Sequence, residues 1–351
     1  MSEHLLKLRA FLRERQLDCI VINDLKNVRY FSGFAGSAAV LTVTEKKALL
    51  YTDFRYLEQA KEEATTFEIV KHGEHIYRDV ADAIQVEKNI AFEKNYVTVE
   101  TLQRMQEFIP DKNWCGVKLG SIRMIKDEKE IGFIEQAVKI ADNAFARLLL
   151  EIKEGMSEIE AAALLEFFLK EEGATRTSFP TIVASGKRSS LPHGQPTQKK
   201  FDRGDFVTFD FGAIYQGYCS DITRTVVIGS PSDKQREIYD IVLAAQLAAI
   251  SKLRPGITGK EGDSYARAVI KNAGYDEMFG HGTGHSLGIN IHEEPRLSPN
   301  CDTILCSGMV LTVEPGIYIP DWGGVRIEDV VVITNEGVRI LTKTDKKLIE
   351  I

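Results

Sequence analysis

Residues 210–221 read DFGAIYQGYCSD, an aspartate at each end of a stretch that otherwise patterns as a β-hairpin. Aspartate is a poor strand former, and like charges facing each other across a sheet destabilise it. Side chains alternate faces along a strand. A two-residue turn at Tyr215–Gln216 therefore sets Asp210 directly opposite Asp221, with Cβ atoms about 5 Å apart. A turn at Gln216–Gly217 makes the pair diagonal but keeps both on one face. Glu314 and Glu328 belong to a second strand–loop–strand stretch, and their even separation also permits one face, although its longer loop leaves the register open. A third segment, HGTGHSLGINIHEEP at 281–295, holds His281, His285 and His292, three of the seven histidines in the chain. His193 stands apart in LPHGQPT.

Four carboxylates gathered with imidazole suit divalent ions such as Mn²⁺, Co²⁺ or Zn²⁺. A lone Zn²⁺ usually takes fewer carboxylates, and Ca²⁺ does not choose imidazole. Bridging carboxylates hold two ions roughly 3.5–4 Å apart and generate hydroxide at neutral pH, which is equipment for hydrolysis. Gly282, Gly284 and Gly288 read as places where the backbone passes close to a ligand. His4, His72 and His75 fall outside the clusters and are expected on the surface.

The elements that must hold these groups fall into two blocks. Up to about residue 115, short apolar runs (19–22, 38–43, 48–52, 67–70 and 89–92) alternate with helical patterns at 55–64, 76–86 and 99–108. Such alternation predicts an α/β layer, with a hairpin turning at Glu45–Lys47. A boundary falls within GVKLGSIRMIK (116–126), giving domains at 1–120 and 121–351. Beyond it, Asp127/Glu130, Ser157/Glu160, Ser232/Gln235 and Thr258/Glu261 each have capping-box spacing. Ile131, Ile134, Val138, Ala141, Phe145 and Leu148 then recur at steps of three and four, one buried helix face that ends by Gly155. Strand-like runs between these helices make the second half α+β, on a mainly antiparallel sheet. VTFDFG (207–212) matches LTVEPG (311–316), and SDITRTVVI (220–228) resembles IEDVVVI (327–333). A duplicated strand–carboxylate–Gly unit would bring four carboxylates together.

Length and composition bound the rest. With 351 residues, two domains are expected. A net charge of −7 argues against a nucleic-acid partner or an anionic membrane surface. No apolar run approaches the roughly 20 residues that span a bilayer. The N-terminal stretch reads as an amphipathic helix rather than a signal peptide. Five scattered cysteines without CxxC fit free thiols in a reducing cytosol, with Cys301 and Cys306 in a loop or small core.

Taken jointly, D-x₁₀-D, GHxxGxxxHEEP, EPG and RIED occur here in the order and spacing of the pita-bread (M24-type) metallopeptidases, which the chain resembles. It is similar in particular to the Xaa-Pro dipeptidases (prolidases) and Xaa-Pro aminopeptidases. NVRYFSGFAGSAAVLTV and LLYTDFRY also resemble the smaller domain of that family, so the likeness spans nearly the whole chain. It implies a creatinase-like α/β N-terminal domain, an α+β C-terminal pita-bread (creatinase/aminopeptidase) catalytic domain, a cytoplasmic homodimer, and two metal ions, Mn²⁺ before Co²⁺ or Zn²⁺. By the resemblance, Asp210 binds one ion, Asp221 and Glu328 bridge, and His285 with Glu314 binds the other. Glu314 would also serve as general base. His193, His281 and His292 would face the substrate and stabilise the oxyanion, with His193 and His292 binding it. Arg326 would orient a carboxylate or bind substrate, and Asp329 would stand behind the ligands or cap a strand.

Arg296, directly after HEEP, is a candidate reader of a free substrate carboxylate by bidentate pairing. It favours Xaa-Pro dipeptides as substrates. The alternatives are an Xaa-Pro aminopeptidase acting on longer peptides and, in a different class, an inactive peptide-binding module on the same scaffold. Methionine aminopeptidases lack the N-terminal domain, and creatine amidinohydrolase works without the metal ligands that are intact here.

Overall fold

The alternation of strand and helix patterns in the first 120 or so residues resolves into one sheet covered by short helices. The structure is a computed structural model that describes residues 2–351. It divides into two compact units, ending and beginning at Arg123 and Met124. The first unit runs α1 (Glu3–Glu14), β1 (Cys19–Ile22), α2 (Leu25–Ser32), β2 (Val40–Thr44), β3 (Ala48–Thr52), α3 (Leu57–Glu63), β4 (Glu68–Lys71), α4 (Ile76–Ala83), β5 (Asn89–Glu93), α5 (Val99–Phe108), β6 (Asn113–Val117) and α6 (Gly120–Arg123). The six strands lie in the order β4-β3-β2-β1-β5-β6. Val21, Tyr51, Val80, Ile90 and Met105 pack into its core. Glu45 and Lys46 form the β2–β3 turn, closed by the Thr44 amide on the Lys47 carbonyl. Two elements had no clear sequence signal. NWCGV forms the half-exposed edge strand β6, and α2 is a single eight-residue stretch capped by Asp24. His4 departs from the surface expectation: its ring stacks on Tyr30 at 4.0 Å and Nδ1 donates to the Tyr30 carbonyl at 2.8 Å.

The second unit opens with α7 (Glu128–Leu148) and α8 (Glu158–Glu171) and later carries α9 (Asp233–Lys252) and α10 (Gly259–Asn272). All four expected capping boxes form, each N-cap side chain accepting from the N3 amide and each N3 side chain reaching back. Such a cap stabilises a helix by about 1 kcal/mol. The predicted apolar face of α7 is the buried one, and the helix stops at Leu148, with Gly155 in the following loop at φ +85°. The strands are β7 (Arg176–Thr177), β8 (Ile182–Ser185), β9 (Phe206–Phe211), β10 (Ala213–Tyr215), β11 (Tyr218–Cys219), β12 (Ile222–Val227), β13 (Gly284–Ser286), β14 (Glu293–Leu297), β15 (Val310–Val313), β16 (Gly316–Ile319), β17 (Gly323–Arg326), β18 (Asp329–Ile333), β19 (Val338–Ile340) and β20 (Ile349–Glu350). They form sheets ordered β20-β12-β9-β8, β14-β13-β15-β18-β19, β11-β10-β7 and β16-β17. Pairing here is antiparallel except for β12 with β20. Helices α9 and α10 bury Val242, Ala245, Ala249, Ala266 and Ile270 against Leu311, Val313, Val331 and Ile333 of β15 and β18. That core fixes the two hairpins whose inner ends carry the carboxylates. Among the described residues, no helix is long and apolar enough to cross a membrane.

Candidate metal centre

The first hairpin settles the question its aspartates raise. Asp210 stands opposite Thr223 across β9 and β12, and Tyr215 pairs Tyr218 across β10 and β11. The turn is therefore Gln216–Gly217, with φ of +48° and +84°, the two positive values of a type I′ hairpin. Carried along this register, Asp221 falls opposite Gly212 and diagonal to Asp210 on one face. Between the two strand pairs the chains come unusually close: a Cβ on Gly212 would stand 2.0 Å from the Ser220 carbonyl oxygen. Only glycine fits there.

The second hairpin has a different register. Val313 pairs Asp329 across β15 and β18, and Gly316 pairs Arg326 across β16 and β17. The same register on both sides of the break puts Glu314 directly opposite Glu328. Neither residue is in the ladder. The Glu314 amide donates to the Thr283 carbonyl at 2.7 Å and the Glu328 amide to the Thr223 carbonyl at 3.1 Å. The second bond ties this hairpin to β12 of the first, so the repeated units meet at their carboxylates.

His285 enters from β13. Its Nδ1 lies 3.1 Å from the Ser286 carbonyl, which can only accept, so Nδ1 carries the proton. Nε2 then presents a lone pair 3.3 Å from Glu314 Oε1 and 3.5 Å from Asp221 Oδ2. The donor atoms of Asp221, His285 and Glu328 all lie within 4.8 Å of one another, and all three residues are buried. Thr312 braces two of the groups, accepting from the His285 amide at 3.0 Å and donating to Glu314 Oε1 at 3.0 Å. Thr223 donates to Glu328 Oε2 at 2.6 Å.

This packing is costly without positive charge. Burial, and then the neighbouring Glu328, Asp210 and Glu314 charges, push the Asp221 carboxyl well above the usual carboxylate range. Glu328 rises for the same reasons, burial first and then Glu314 and Asp210. Burial also lifts Glu314 to about 7, with Asp210 adding to it against the opposing charge of Arg326. Burial holds His285 down at about 3, so its imidazole is neutral, with His292 contributing. Asp210 Oδ1 is buried with no hydrogen-bond partner. Oxygens that repel one another, an orphaned carboxylate oxygen and an imidazole lone pair aimed among them together fit divalent cations as the missing partner.

The surrounding groups each have partners within the fold. His281 Nδ1 donates to the Gly282 carbonyl at 2.8 Å. Its Nε2 lies 3.0 Å from the Tyr318 hydroxyl, which already accepts from Arg326 Nη1 at 2.8 Å and so donates its own proton to His281. Burial lowers His281 to about 4, and the ring stays neutral. Both nitrogens of His281 are thus engaged within the fold, while its ring still lines the cavity. Arg326 is buried and donates to Asp210 Oδ2 at 2.7 Å and to Thr223 Oγ1 at 3.0 Å. It braces Asp210 and also reaches the cavity wall. Asp329 points elsewhere, accepting from Arg224 and Lys346, both at 2.8 Å. The glycines of the histidine segment likewise serve packing. A Cβ on Gly284 would lie 2.0 Å from the Thr312 carbonyl oxygen, a close approach of strands.

A cavity of about 720 Å³ opens above the carboxylates. Its wall includes His193, His281, His292, Arg296 and the apolar Phe179, Pro180 and Ile291. His193 is exposed, and the His292 ring centre is 4.4 Å from that of His285. Arg296 pairs with His285 across β13 and β14 and is half exposed. The segment around His292 is pinned by Glu293, which accepts from the buried Lys126 at 3.2 Å and from the Asn290 amide at 3.1 Å. Sequence reasoning missed Thr223, Thr312 and Tyr318. The two threonines sit two residues from Asp221 and Glu314, so the period-2 rule could have placed them on the same faces. Tyr318 carried no comparable signal.

Comparison with known proteins agrees with this geometry. Residues 132–335 match metallopeptidase family M24, and residues 4–125 match the creatinase/prolidase N-terminal domain. The chain is 44% identical to an Xaa-Pro dipeptidase of Pyrococcus horikoshii over 353 residues, 99% of each chain. The solved Xaa-Pro dipeptidase from Bacillus anthracis superposes with a TM-score of 0.97 at 45% identity, covering 99% of both chains. An X-Pro aminopeptidase from Thermotoga maritima gives 0.93 at 40% identity, covering 99% of this chain and 100% of that one. The pita-bread catalytic fold and the creatinase-type N-terminal domain expected from the sequence are both present.

Proposed function

The chain belongs to metallopeptidase family M24, and on that premise we propose that it hydrolyses the Xaa-Pro bond of dipeptides. The observation that carries the reading is the neutral His285 lone pair directed at the buried oxygens of Asp221 and Glu314, 3.5 and 3.3 Å away. In this reading Asp210, Asp221, His285, Glu314 and Glu328 hold two divalent cations, Mn²⁺ first among them. When bound, such cations supply Lewis acidity and lower the pKa of water. Asp221 and Glu328, both buried with donor atoms within 4.8 Å of each other, would be shared between the two cations. Glu314 takes up the proton released by the attacking water. His193 and His292 project into the cavity and donate to the substrate carbonyl oxygen as charge develops there. Arg326 holds Asp210 in orientation through its 2.7 Å bond to Oδ2.

Arg296 favours a dipeptide. Its guanidinium is half exposed on the cavity wall, opposite His285 in register, where it can pair with a free carboxylate. Phe179, Pro180 and Ile291 offer an apolar wall to a proline ring. The likeness to the Thermotoga X-Pro aminopeptidase supports a second reading, action on longer peptides. The same proposal includes a homodimer and, from the free thiols of Cys19 and Cys301, a reducing cytosolic compartment.

The test uses purified protein stripped with chelator and reloaded with Mn²⁺. Hydrolysis of Xaa-Pro dipeptides should vanish and return, and should exceed that of Xaa-Pro-Yaa peptides. Faster cleavage of the longer peptides would favour the aminopeptidase. No cleavage of either with metal restored would leave a binding module and overturn the enzymatic reading.

A further inference from the structure

Helix α8 begins with Glu158, a glutamate whose carboxylate is fully buried yet lies outside the carboxylate cluster. Oε1 accepts from the Ser185 amide at 2.8 Å and the Ser185 hydroxyl at 2.9 Å. Oε2 accepts from the Thr197 amide at 3.0 Å and the Thr197 hydroxyl at 2.7 Å. Arg188 Nε lies 3.2 and 3.1 Å from the two oxygens. The donors come from the start, middle and end of one excursion, residues 185–197. That excursion carries His193 to the cavity wall.

Further bonds make the excursion a single piece. Arg188 Nη2 crosses the loop to the Gln195 carbonyl at 2.6 Å. The Gly194 amide donates to the Leu191 carbonyl at 3.0 Å, closing a turn with Pro192 second and His193 third. Proline in the second position and glycine in the fourth suit a type I turn. The amides of Glu158 and Ile159 donate to the Lys199 and Thr197 carbonyls, both at 3.0 Å, tying the returning chain to the first turn of α8. His193 itself is exposed, so its position depends on this clamp.

We propose that Glu158 is a positioning residue for the reaction, holding His193 over the cavity through Ser185, Arg188 and Thr197. The inference rests on the reading that His193 meets the substrate carbonyl. Hydrogen bonds to a charged group are roughly twice as strong as neutral ones. A surface loop without such ties opens at low cost, and a misplacement of about 1 Å can cost on the order of 100-fold in rate. Removing the carboxylate would leave the buried Ser185 donors and the part-buried Thr197 donors without this partner and release the turn.

The experiment measures kcat/KM on an Xaa-Pro dipeptide with saturating Mn²⁺ for the wild type, Glu158→Ala, His193→Ala and the double variant. Each single change should cost about 10-fold or more, with bound metal unchanged. The double variant should fall no more than about threefold below His193→Ala, because both act through one imidazole. Losses that multiply would overturn the proposal, as would a full-size Glu158→Ala effect beside an inert His193→Ala. Hydrogen exchange gives a readout independent of activity. The peptide covering 186–197 should exchange faster in Glu158→Ala while β9 and β12 do not change. Unaltered exchange would overturn the clamp even if the protein proved not to be a peptidase. Should Glu158→Ala not fold, Thr197→Val and Arg188→Met each remove one arm and carry the same test.

Discussion

Replacing Glu314 by glutamine should make the metal-free protein more stable and the metal-loaded protein less so. Glu314 has an ordinary titration near 4.5 and is lifted to about 7 by burial beside Asp210. Its folded-state value lies above its unfolded one, so the stability it contributes is fully present below about pH 4.5 and is lost as pH rises through about 7. At 1.36 kcal/mol per pH unit, the interval from 4.5 to about 7 corresponds to about 3 kcal/mol. Glutamine cannot ionise, and its amide oxygen can keep the 3.0 Å bond from the Thr312 hydroxyl.

In chelator, Glu314→Gln and the wild type should therefore differ by about 1 kcal/mol or less at pH 5, with the variant ahead by up to about 3 kcal/mol at pH 8. Excess Mn²⁺ should reverse the order. The wild type gains about 4 kcal/mol when the free ion is 1,000 times its Kd, and the variant, lacking a ligand, gains much less. Denaturant unfolding followed by circular dichroism at the two pH values, with and without metal, measures all four differences. A chelated variant less stable than wild type at pH 8, or a difference independent of pH, would refute the claim that Glu314 is a carboxylate held against its own charge.

Binding of Mn²⁺ to the stripped protein at pH 7 should release protons, because Asp221 and Glu328 are lifted well above the usual range and Glu314 to about 7. Calorimetry in buffers of different ionisation enthalpy counts them, and the release should shrink at higher pH; no buffer dependence at pH 7 would contradict the buried-charge account. Arg296→Ala should raise KM for Xaa-Pro dipeptides by about 10-fold or more while sparing longer peptides, since only the dipeptide brings a free carboxylate to that wall; equal effects on both would remove Arg296 as the carboxylate reader. Gly212→Ala forces a Cβ to within 2.0 Å of the Ser220 carbonyl oxygen, so it should lower stability by roughly 2 kcal/mol or more and reduce metal content. Normal melting with full metal content would show that the two hairpin halves do not need this contact.

Local signals were readable and long-range ones were not. The four capping boxes use residues three positions apart, so Asp127, Ser157, Ser232 and Thr258 announce their helices without any tertiary information. Strand β6 could not announce itself: its Asn, Trp, Cys and Gly form an edge that pairs only with β5. The Asp210–Asp221 register was narrowed to two choices that share a face, and the Gln216–Gly217 turn selects the diagonal one. For Glu314 and Glu328 the register stayed open, because it is set by β15 against β18 and not by the turn. For His281, the acceptor-only Gly282 carbonyl sets the tautomer, and the partner of its other nitrogen, the Tyr318 hydroxyl, lies 37 residues away in sequence, beyond the reach of local signals.

The two hairpins also show why so many acidic residues can share this sheet. In the first, the diagonal register and the 2.7 Å pairing of Asp210 with Arg326 keep one aspartate apart from its fellow. In the second, Glu314 and Glu328 face each other across a break in the ladder, and their amides bond outward to Thr283 and Thr223. Each carboxylate is thus held by neighbours that stabilise its position, yet Asp221, Glu314 and Glu328 are all raised well above the ordinary range. A site designed only for stability would relieve that repulsion with a second arginine or by substituting an amide. Here Arg326 compensates Asp210, while a neutral imidazole that brings no charge completes the cluster. The position is fixed by the fold and the charge is left unbalanced, which is the combination that gives a cation its affinity.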